Sequence, residues 1–366
     1  MRFVFVSYNY SPDIHSPQDW LNRVKIYVGS LEYLSKKNTV MRVEQINYTG
    51  NFLHNGVQYY CGDYGKKKNY FPRKLNGFVK SLQPDVVIVS GLHFPFQVIQ
   101  LRLLLGRKVK IIVQNHAEQP FNGIKKYLQR MADKYINAYF FASGVTGAEW
   151  VSKGNLASEK KVYEIMEVSS AFYPVDKIFA RSKTQVIGDP VFVWAGRLNQ
   201  NKDPLTVANA FLKFLQLQPT ARLYMIYQTA ELLRGLKLLI TDDKVNPHAV
   251  VLVGEVPHSE MQYWFNSADF IISGSHYEGS GTAICEAMSC GCIPVVTDIP
   301  SFRSITAHGE CGLLYEAGNE NALLSALTQT MQMDMQEKRD KTLAYFKSDL
   351  SFEAIAHKIQ QVAASL

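Results

Sequence analysis

Two carboxylates flank a glycine-rich turn in the sequence. Glu278 precedes the turn GSG, and Glu286 follows it within the segment TAICEAMSCG. That segment has the composition of a short helix, for which Ser280 is the expected N-cap and Gly291 the expected C-cap. Unpaired N–H groups at such a helix start attract anions, and the helix dipole adds to the attraction. The pattern predicts a phosphorylated ligand at the turn, with a carboxylate on either side to hold its hydroxyl groups.

Two cations follow the apolar run VFVWAG earlier in the chain. Arg197 comes directly after the run, and Lys202 precedes Pro204, where an apolar helical segment begins. Ligands in parallel α/β sheets bind beyond the carboxyl ends of the strands. Both cations are therefore expected at the same edge as the glycine-rich turn, where they would hold a diphosphate. The alternative for Lys202 is an ordinary exposed loop lysine.

Two histidines occupy similar positions in the first half of the chain. His116 ends the run KVKIIVQN, and His93 follows the run VVIVSGL. Both are strand-end positions at which a ligand would bind, and His116 is the preferred candidate. The alternative for each is a structural or merely exposed histidine.

The carboxylates and cysteines of the second half also have non-functional alternatives. Glu278 could form a loop salt bridge, and Glu286 could be a charge on a helix surface. The helix around Glu286 is too apolar for a surface element, however, and a buried carboxylate without a partner is costly. A ligand hydroxyl group is its expected partner. Cys285 and Cys290 are expected to be small core residues rather than nucleophiles.

These residues require a scaffold of parallel strands and helices. Apolar strand-like runs alternate with amphipathic helical segments, which is typical of an α/β fold with parallel sheets. The segment 172–189 has mixed polarity and separates two such series. Since 366 residues also exceed the usual size of one core, we expect one domain over residues 1–175 and a second over 176–349. Neither half carries G-x-G-x-x-G after its first strand, so dinucleotide binding has little support.

Composition places further bounds on the function. Apolar residues make up 47% of the chain, and no apolar run reaches the roughly 20 residues that a membrane span needs. The first residues lack the features of a signal peptide. The five cysteines are odd in number and lack zinc-site spacing, so we expect reduced thiols in the cytoplasm.

The positive charge is concentrated in the first half. Residues 1–180 hold 24 Lys and Arg against 13 Asp and Glu, whereas residues 181–366 hold 15 against 19. A solvated surface is the simplest interpretation. The alternative is contact with anionic lipid or with an acceptor that carries phosphate. Nucleic acid has less support, because no binding motif accompanies the charge.

The paired glutamates, the segment AGRLNQNKDP and the stretch from GEVPHSEM to IPVVTD together resemble retaining glycosyltransferases of the family 4 type. The resemblance is specific over residues 190–315 and only architectural over residues 1–180. It implies the GT-B fold, in which two Rossmann-like domains face each other across a cleft. It also implies that the last helix, residues 350–366, returns to the first domain.

The resemblance assigns roles residue by residue. Arg197 and Lys202 would hold the donor diphosphate, Glu286 the ribose, and Glu278 the transferred sugar, which His116 would contact from the other domain. The base would stack at the loop 255–257, which contains Val256. Backbone amides would hold the sugar or phosphate at Gly279, Ser280, Gly281, Thr282 and Ala283. No Asp-x-Asp occurs, which agrees with a mechanism that needs no metal or other cofactor.

The implied enzyme is a hexosyltransferase-type glycosyltransferase that uses a UDP-, GDP- or ADP-sugar. Its acceptor would be a sugar or a lipid-linked molecule in polysaccharide or glycolipid assembly, with peripheral contact to the inner face of the membrane through the basic half. The alternatives are another GT-B enzyme, such as a sugar-nucleotide epimerase or hydrolase, and a non-catalytic sugar-nucleotide-binding protein. Ser280 departs from the family pattern, which often has an aromatic residue there, and this bears on the donor sugar.

Overall fold

The computed structural model describes residues 1–64, 71–242 and 248–366. Lys66, Lys67 and Lys68, which contribute to the predicted basic half, lie outside the described residues. The chain divides into two compact units, one formed by Met1–Ser169 with Phe352–Leu366 and the other by Ser170–Ser351. The sequence-based division placed these limits at 175/176 and 349/350.

The first unit is built on an eight-stranded sheet in the order β3-β4-β2-β1-β5-β6-β7-β8. All of its pairs are parallel except β3 with β4. Its strands are β1 Arg2–Ser11, β2 Thr39–Ile46, β3 Gly50–His54, β4 Val57–Cys61, β5 Val86–Ser90, β6 Lys110–Gln114, β7 Ala138–Phe141 and β8 Val162–Glu164. Its helices are α1 Pro17–Ser35, α2 Arg73–Ser81, α3 Pro95–Leu105, α4 Gly123–Ala132 and α5 Gly144–Ser152, with 3₁₀ turns at Asp133–Tyr135 and Glu159–Lys161.

The central strands of this sheet are buried on both faces, as their apolar sequences predict. Residues 3–8 of β1 and 86–89 of β5 are all buried. The helix expected near residues 122–137 is shorter, because α4 ends at Ala132 and a 3₁₀ turn follows.

The second unit contains a six-stranded parallel sheet in the order β11-β10-β9-β12-β13-β14. Its strands are β9 Val191–Gly196, β10 Arg222–Tyr227, β11 Val250–Gly254, β12 Phe270–Ser273, β13 Ile293–Thr297 and β14 Leu313–Tyr315. Its helices are α6 Lys177–Thr184, α7 Pro204–Phe214, α8 Leu233–Asp242, α9 Met261–Ser267, α10 Thr282–Ser289, α11 Pro300–Ile305, α12 Glu320–Thr330 and α13 Met335–Tyr345, with a 3₁₀ turn at Gln200–Lys202 and a π-helical turn at Phe346–Leu350.

Aromatic side chains form much of the second core. Phe192 of β9 stacks on Phe270 of β12 at 4.9 Å between ring centroids, and Phe211 and Phe214 of α7 meet Phe192 edge-on. This packing fixes α7 against β9, and the loop that joins them carries Arg197 and Lys202.

The segment 172–189, which separates the two series of strands and helices in the sequence, contains the short helix α6. Asp176 caps it by accepting a hydrogen bond from the Phe179 amide, and α6 packs against α9. Lys177–Thr184 is therefore part of the second unit.

The final helix, α14 Phe352–Ser365, belongs to the first unit and packs against α1. Gly29 of α1 makes this approach possible, because a Cβ there would lie 2.5 Å from the Phe352 ring. No helix in the described ranges is both long and apolar enough to cross a membrane.

Candidate active site

The carboxyl ends of β9, β10 and β12 open onto a pocket of about 480 Å³ in the second unit. Most of the site residues predicted from the sequence line it, namely Arg197, Lys202, Val256, Glu278, Gly281, Thr282, Ala283 and Glu286. Gly279 and Ser280 belong to the same loop. The structure therefore brings together residues from the β9–α7 loop, the loop after β11 and the start of α10.

Helix α10 begins at Thr282, and its N-cap is Gly281 rather than the predicted Ser280. Gly281 has a left-handed backbone (φ 64°), and a Cβ at this position would lie 2.8 Å from the Phe302 ring. Only glycine meets both conditions without strain. No side chain caps the helix, so its first N–H groups are available to an anion in the pocket. At the other end, the C-cap is Cys290, and the predicted Gly291 follows it with φ 78°.

Two loops that are distant in sequence are joined by Asn201. Its carboxamide donates to the Tyr277 carbonyl at 3.0 Å and accepts from the Tyr277 amide at 3.1 Å. The backbone carbonyl of Asn201 accepts a hydrogen bond from the His276 amide at 2.8 Å. These bonds hold the turn that carries Lys202 beside the loop that carries Glu278. Asn201 was not among the predicted site residues, because nothing local in the sequence marks its partner.

Lys202 and Glu278 form an ion pair. Their side chains are 26% and 15% exposed, so the pair is partly shielded from water. The sequence predicted both residues at the site but not their contact. The cation expected to hold a diphosphate is thus paired with the carboxylate expected to hold a sugar.

Glu286 lies on α10 with only 6% of its side chain exposed, and its Oε1 is 2.5 Å from Nε2 of His258. The sequence predicted a ligand hydroxyl group as its partner, but in the structure a histidine already occupies one carboxylate oxygen. The imidazole of His258 packs against Phe172 at 5.1 Å between ring centroids. His258 was missed, although it directly follows the loop 255–257 that the resemblance placed near the base.

His116 lies in the first unit, beyond the end of β6, in a pocket of about 240 Å³ within that unit. It forms an ion pair with Glu167, which is largely buried. Burial opposes a charge on the imidazole, but the Glu167 carboxylate outweighs this effect and raises the pKa of His116 above its usual value of 6.5.

The loop that holds His116 is fixed by a buried carboxylate that sequence reasoning did not select. Glu118 accepts hydrogen bonds from the His116 amide at 2.6 Å, from the Leu92 amide at 2.9 Å and from the Asn115 side chain at 2.9 Å. The weaker candidate, His93, has its Nδ1 3.0 Å from Nζ of Lys125. Burial, followed by the charge of Lys125, lowers the pKa of His93.

The cysteines have the surroundings of core residues. All five are buried, and none forms a disulfide. Burial raises the pKa of the Cys285 thiol far above its usual value and that of Cys290 to about 12, which disfavours the reactive thiolate. Within the described parts of the chain, no three His, Cys, Asp or Glu side chains are grouped closely enough to hold a metal ion.

Comparisons with known proteins point to glycosyltransferases. Residues 176–348 match the family described as "Glycosyl transferases group 1". A "Glycosyltransferase 1 domain-containing protein 1" from Xenopus tropicalis is 28% identical over 36% of this chain and 38% of its own length. A "GDP-mannose:cellobiosyl-diphosphopolyprenol alpha-mannosyltransferase" from Xanthomonas oryzae pv. oryzae is 22% identical over 71% of this chain and 69% of its own. The chain thus matches well under half of the frog relative.

The fold is similar over the whole chain to that of solved glycosyltransferase structures. The Anabaena protein HepE, crystallised with UDP and glucose, superposes with a TM-score of 0.70 at 14% identity and covers 100% of both chains. That identity supports the fold alone. The chain has the GT-B fold, and its second unit matches the group 1 glycosyltransferase domain, which supports a glycosyltransferase.

Proposed function

We propose that this protein is a retaining glycosyltransferase that moves a sugar from a nucleoside-diphosphate sugar to a hydroxyl group of an acceptor. The observation that carries the proposal is the convergence of Lys202, Glu278, Glu286 and the uncapped start of α10 on one pocket of about 480 Å³. A nucleoside-diphosphate sugar offers a diphosphate for the cations and hydroxyl groups for the carboxylates.

In the proposed complex, the diphosphate lies between Arg197, Lys202 and the N-terminus of α10. Charge that develops on the departing phosphate is stabilised by the two cations and the helix dipole. We assign the ribose hydroxyl groups to Glu286, the base to the loop at Val256, and the transferred sugar to Glu278. Because these cations come from the protein itself, we expect transfer to proceed without a divalent metal.

The proposed transfer needs only two reactants, the nucleotide sugar and the acceptor. The bond between the sugar C1 and the β-phosphate oxygen breaks, and a bond between C1 and the acceptor oxygen forms on the same face. The acceptor proton passes to the departing phosphate. The anomeric configuration is therefore retained.

We propose a lipid-linked saccharide as the acceptor, in the assembly of a polysaccharide or glycolipid in the cytoplasm. The name of the Xanthomonas relative describes such an acceptor, with GDP-mannose as donor. HepE was crystallised with UDP and glucose. The two names differ in base and sugar, so the donor is best identified by a panel of nucleotides.

The test is calorimetric titration with UDP, GDP and ADP, followed by incubation of the matching nucleotide sugars with saccharide and lipid-linked acceptors, with and without EDTA. Retention is expected in the anomeric NMR signal of the product. Release or epimerisation of the sugar without an acceptor would favour a hydrolase or an epimerase. Nucleotide binding without any turnover across the panel would favour a non-catalytic binding protein.

A further inference from the structure

Helix α4 exposes apolar side chains along one side. Ile124, Tyr127 and Met131 are 80%, 71% and 52% exposed. Their spacing of three and four residues aligns them on the helix surface, whereas Gln129 and Ala132 are buried. An aligned set of exposed apolar side chains is unfavourable in water and marks an interaction surface.

The neighbouring helix extends this surface. Helix α3 packs against α4, and Leu103 near its end is 70% exposed. We refer to Leu103, Ile124, Tyr127 and Met131 as the α3–α4 face. None of these four side chains is buried against another part of the described structure.

The exposed charge around the α3–α4 face is positive. Residues 95–134 contain eight Lys and Arg, of which Arg102 is buried, but only two acidic residues, Glu118 and Asp133. These two are 8% and 2% exposed, so their carboxylates contribute little to the surface. Lys126 and Arg130 lie beside the apolar side chains on α4 itself. The segment 153–161, whose Gly154 lies close to Lys126, adds three lysines and one glutamate.

We propose that the α3–α4 face docks the protein on a membrane that contains anionic lipid. A short amphipathic helix with apolar side chains on one side and basic residues beside them lies in the plane of the bilayer surface. The apolar side chains enter the headgroup region, and Lys126 and Arg130 meet lipid phosphates. A soluble protein partner would need both an apolar groove and a strongly acidic rim, and an anionic bilayer supplies both features at once. The proposal does not depend on the proposed catalytic activity.

The experiment is flotation of the purified full-length protein with phosphatidylcholine vesicles that contain or lack phosphatidylglycerol. The unaltered protein is expected to float with the anionic vesicles only, and less of it at high salt. Lys126→Gln/Arg130→Gln should weaken partitioning about thirtyfold. The matched control Lys36→Gln/Lys37→Gln removes two exposed charges elsewhere in the first unit and should leave partitioning nearly unchanged.

The apolar contribution is tested separately. Ile124→Ser should weaken partitioning about tenfold, whereas Ile178→Ser, at a position in the second unit that is 81% exposed, should not. All four variants alter side chains that are exposed or, for Lys126, partly exposed, and their thermal unfolding should match that of the unaltered protein. The proposal is overturned if the protein does not bind anionic vesicles, if it binds both kinds equally, or if the α4 variants and their controls lose the same amount.

Discussion

For the ion pair between Lys202 and Glu278, we predict that substitutions of the two partners have opposite effects on nucleotide binding. Lys202 is held by Glu278, so a diphosphate can bind Lys202 fully only by drawing it away from that carboxylate. Glu278→Gln removes the competitor and should tighten binding of the free nucleoside diphosphate. Lys202→Met removes the cation and should weaken it.

The magnitudes follow from the exposure of the pair. An exposed ion pair contributes about 0–1 kcal/mol, and breaking a buried one costs about 3–5 kcal/mol. The side chains of this pair are 26% and 15% exposed. We therefore place its contribution near the lower end of these two ranges, at about 1 kcal/mol. Glu278→Gln should therefore tighten nucleotide binding roughly fivefold, while sugar transfer falls. Lys202→Met loses a charge-assisted hydrogen bond worth about 2 kcal/mol, so nucleotide binding should weaken roughly thirtyfold.

Isothermal titration calorimetry with the nucleotide that binds in the panel measures both effects. The double variant Lys202→Met/Glu278→Gln should bind like Lys202→Met alone, because the competition no longer exists. Lys213 and Glu320 form another ion pair in the same unit, with Nζ and Oε1 2.6 Å apart. Lys213→Met and Glu320→Gln are the matched controls, and neither should change nucleotide binding. If Glu278→Gln weakened nucleotide binding, or left it unchanged, the competition between Glu278 and the diphosphate for Lys202 would be refuted.

Three further predictions concern other parts of the structure. Gly281→Ala adds a methyl group 2.8 Å from the Phe302 ring at a left-handed position, so it should lower the free energy of unfolding by about 1–2 kcal/mol in urea titrations and weaken nucleotide binding. The control is Gly235→Ala in α8, where a Cβ would lie 3.7 Å from the nearest side-chain atom, and it should leave stability unchanged or raise it. Equal losses of unfolding free energy at the two glycines would contradict the cap geometry. His258→Phe keeps the packing against Phe172 but removes the hydrogen bond to Glu286, so nucleotide affinity measured by calorimetry should fall about tenfold; unchanged affinity would show that the bond does not position Glu286. The raised pKa of His116 predicts that its ion pair with Glu167 stabilises the first unit fully below about pH 6.5 and progressively less as the pH rises through the folded-state pKa. The difference in unfolding free energy between the unaltered protein and His116→Gln should shrink over that range, and a difference that grew with pH would contradict the assignment.

The α/β class could be predicted because it depends on local patterns. Buried parallel strands are continuous apolar runs, and β1, β5 and β9 can each be recognised from their own residues. The strand ends then place Arg197, Lys202 and His116 at sheet edges. Nothing beyond strand position is needed for those three predictions.

The contacts within the site depend on tertiary structure and could not be predicted in the same way. Gly281 rather than Ser280 caps α10, and the Phe302 ring, which fills the space where a Cβ of residue 281 would lie, comes from a more distant part of the chain. The pairing of Lys202 with Glu278 depends on Asn201, which joins two loops far apart in the chain. His258 contacts Glu286, which lies 28 residues further along the chain. None of these partners is marked by a local motif.

These contacts have a common consequence for how a ligand would enter the pocket. Lys202 is matched by Glu278, so this cation presents little unpaired charge to an approaching diphosphate. Arg197, which is exposed on the pocket wall, and the uncapped N-terminus of α10 must then supply the first attraction. Lys202 can join only after it leaves Glu278, and that step frees the Glu278 carboxylate for the sugar. Release of the cation and exposure of the carboxylate are thus one event, which ties recognition of the diphosphate to recognition of the sugar attached to it.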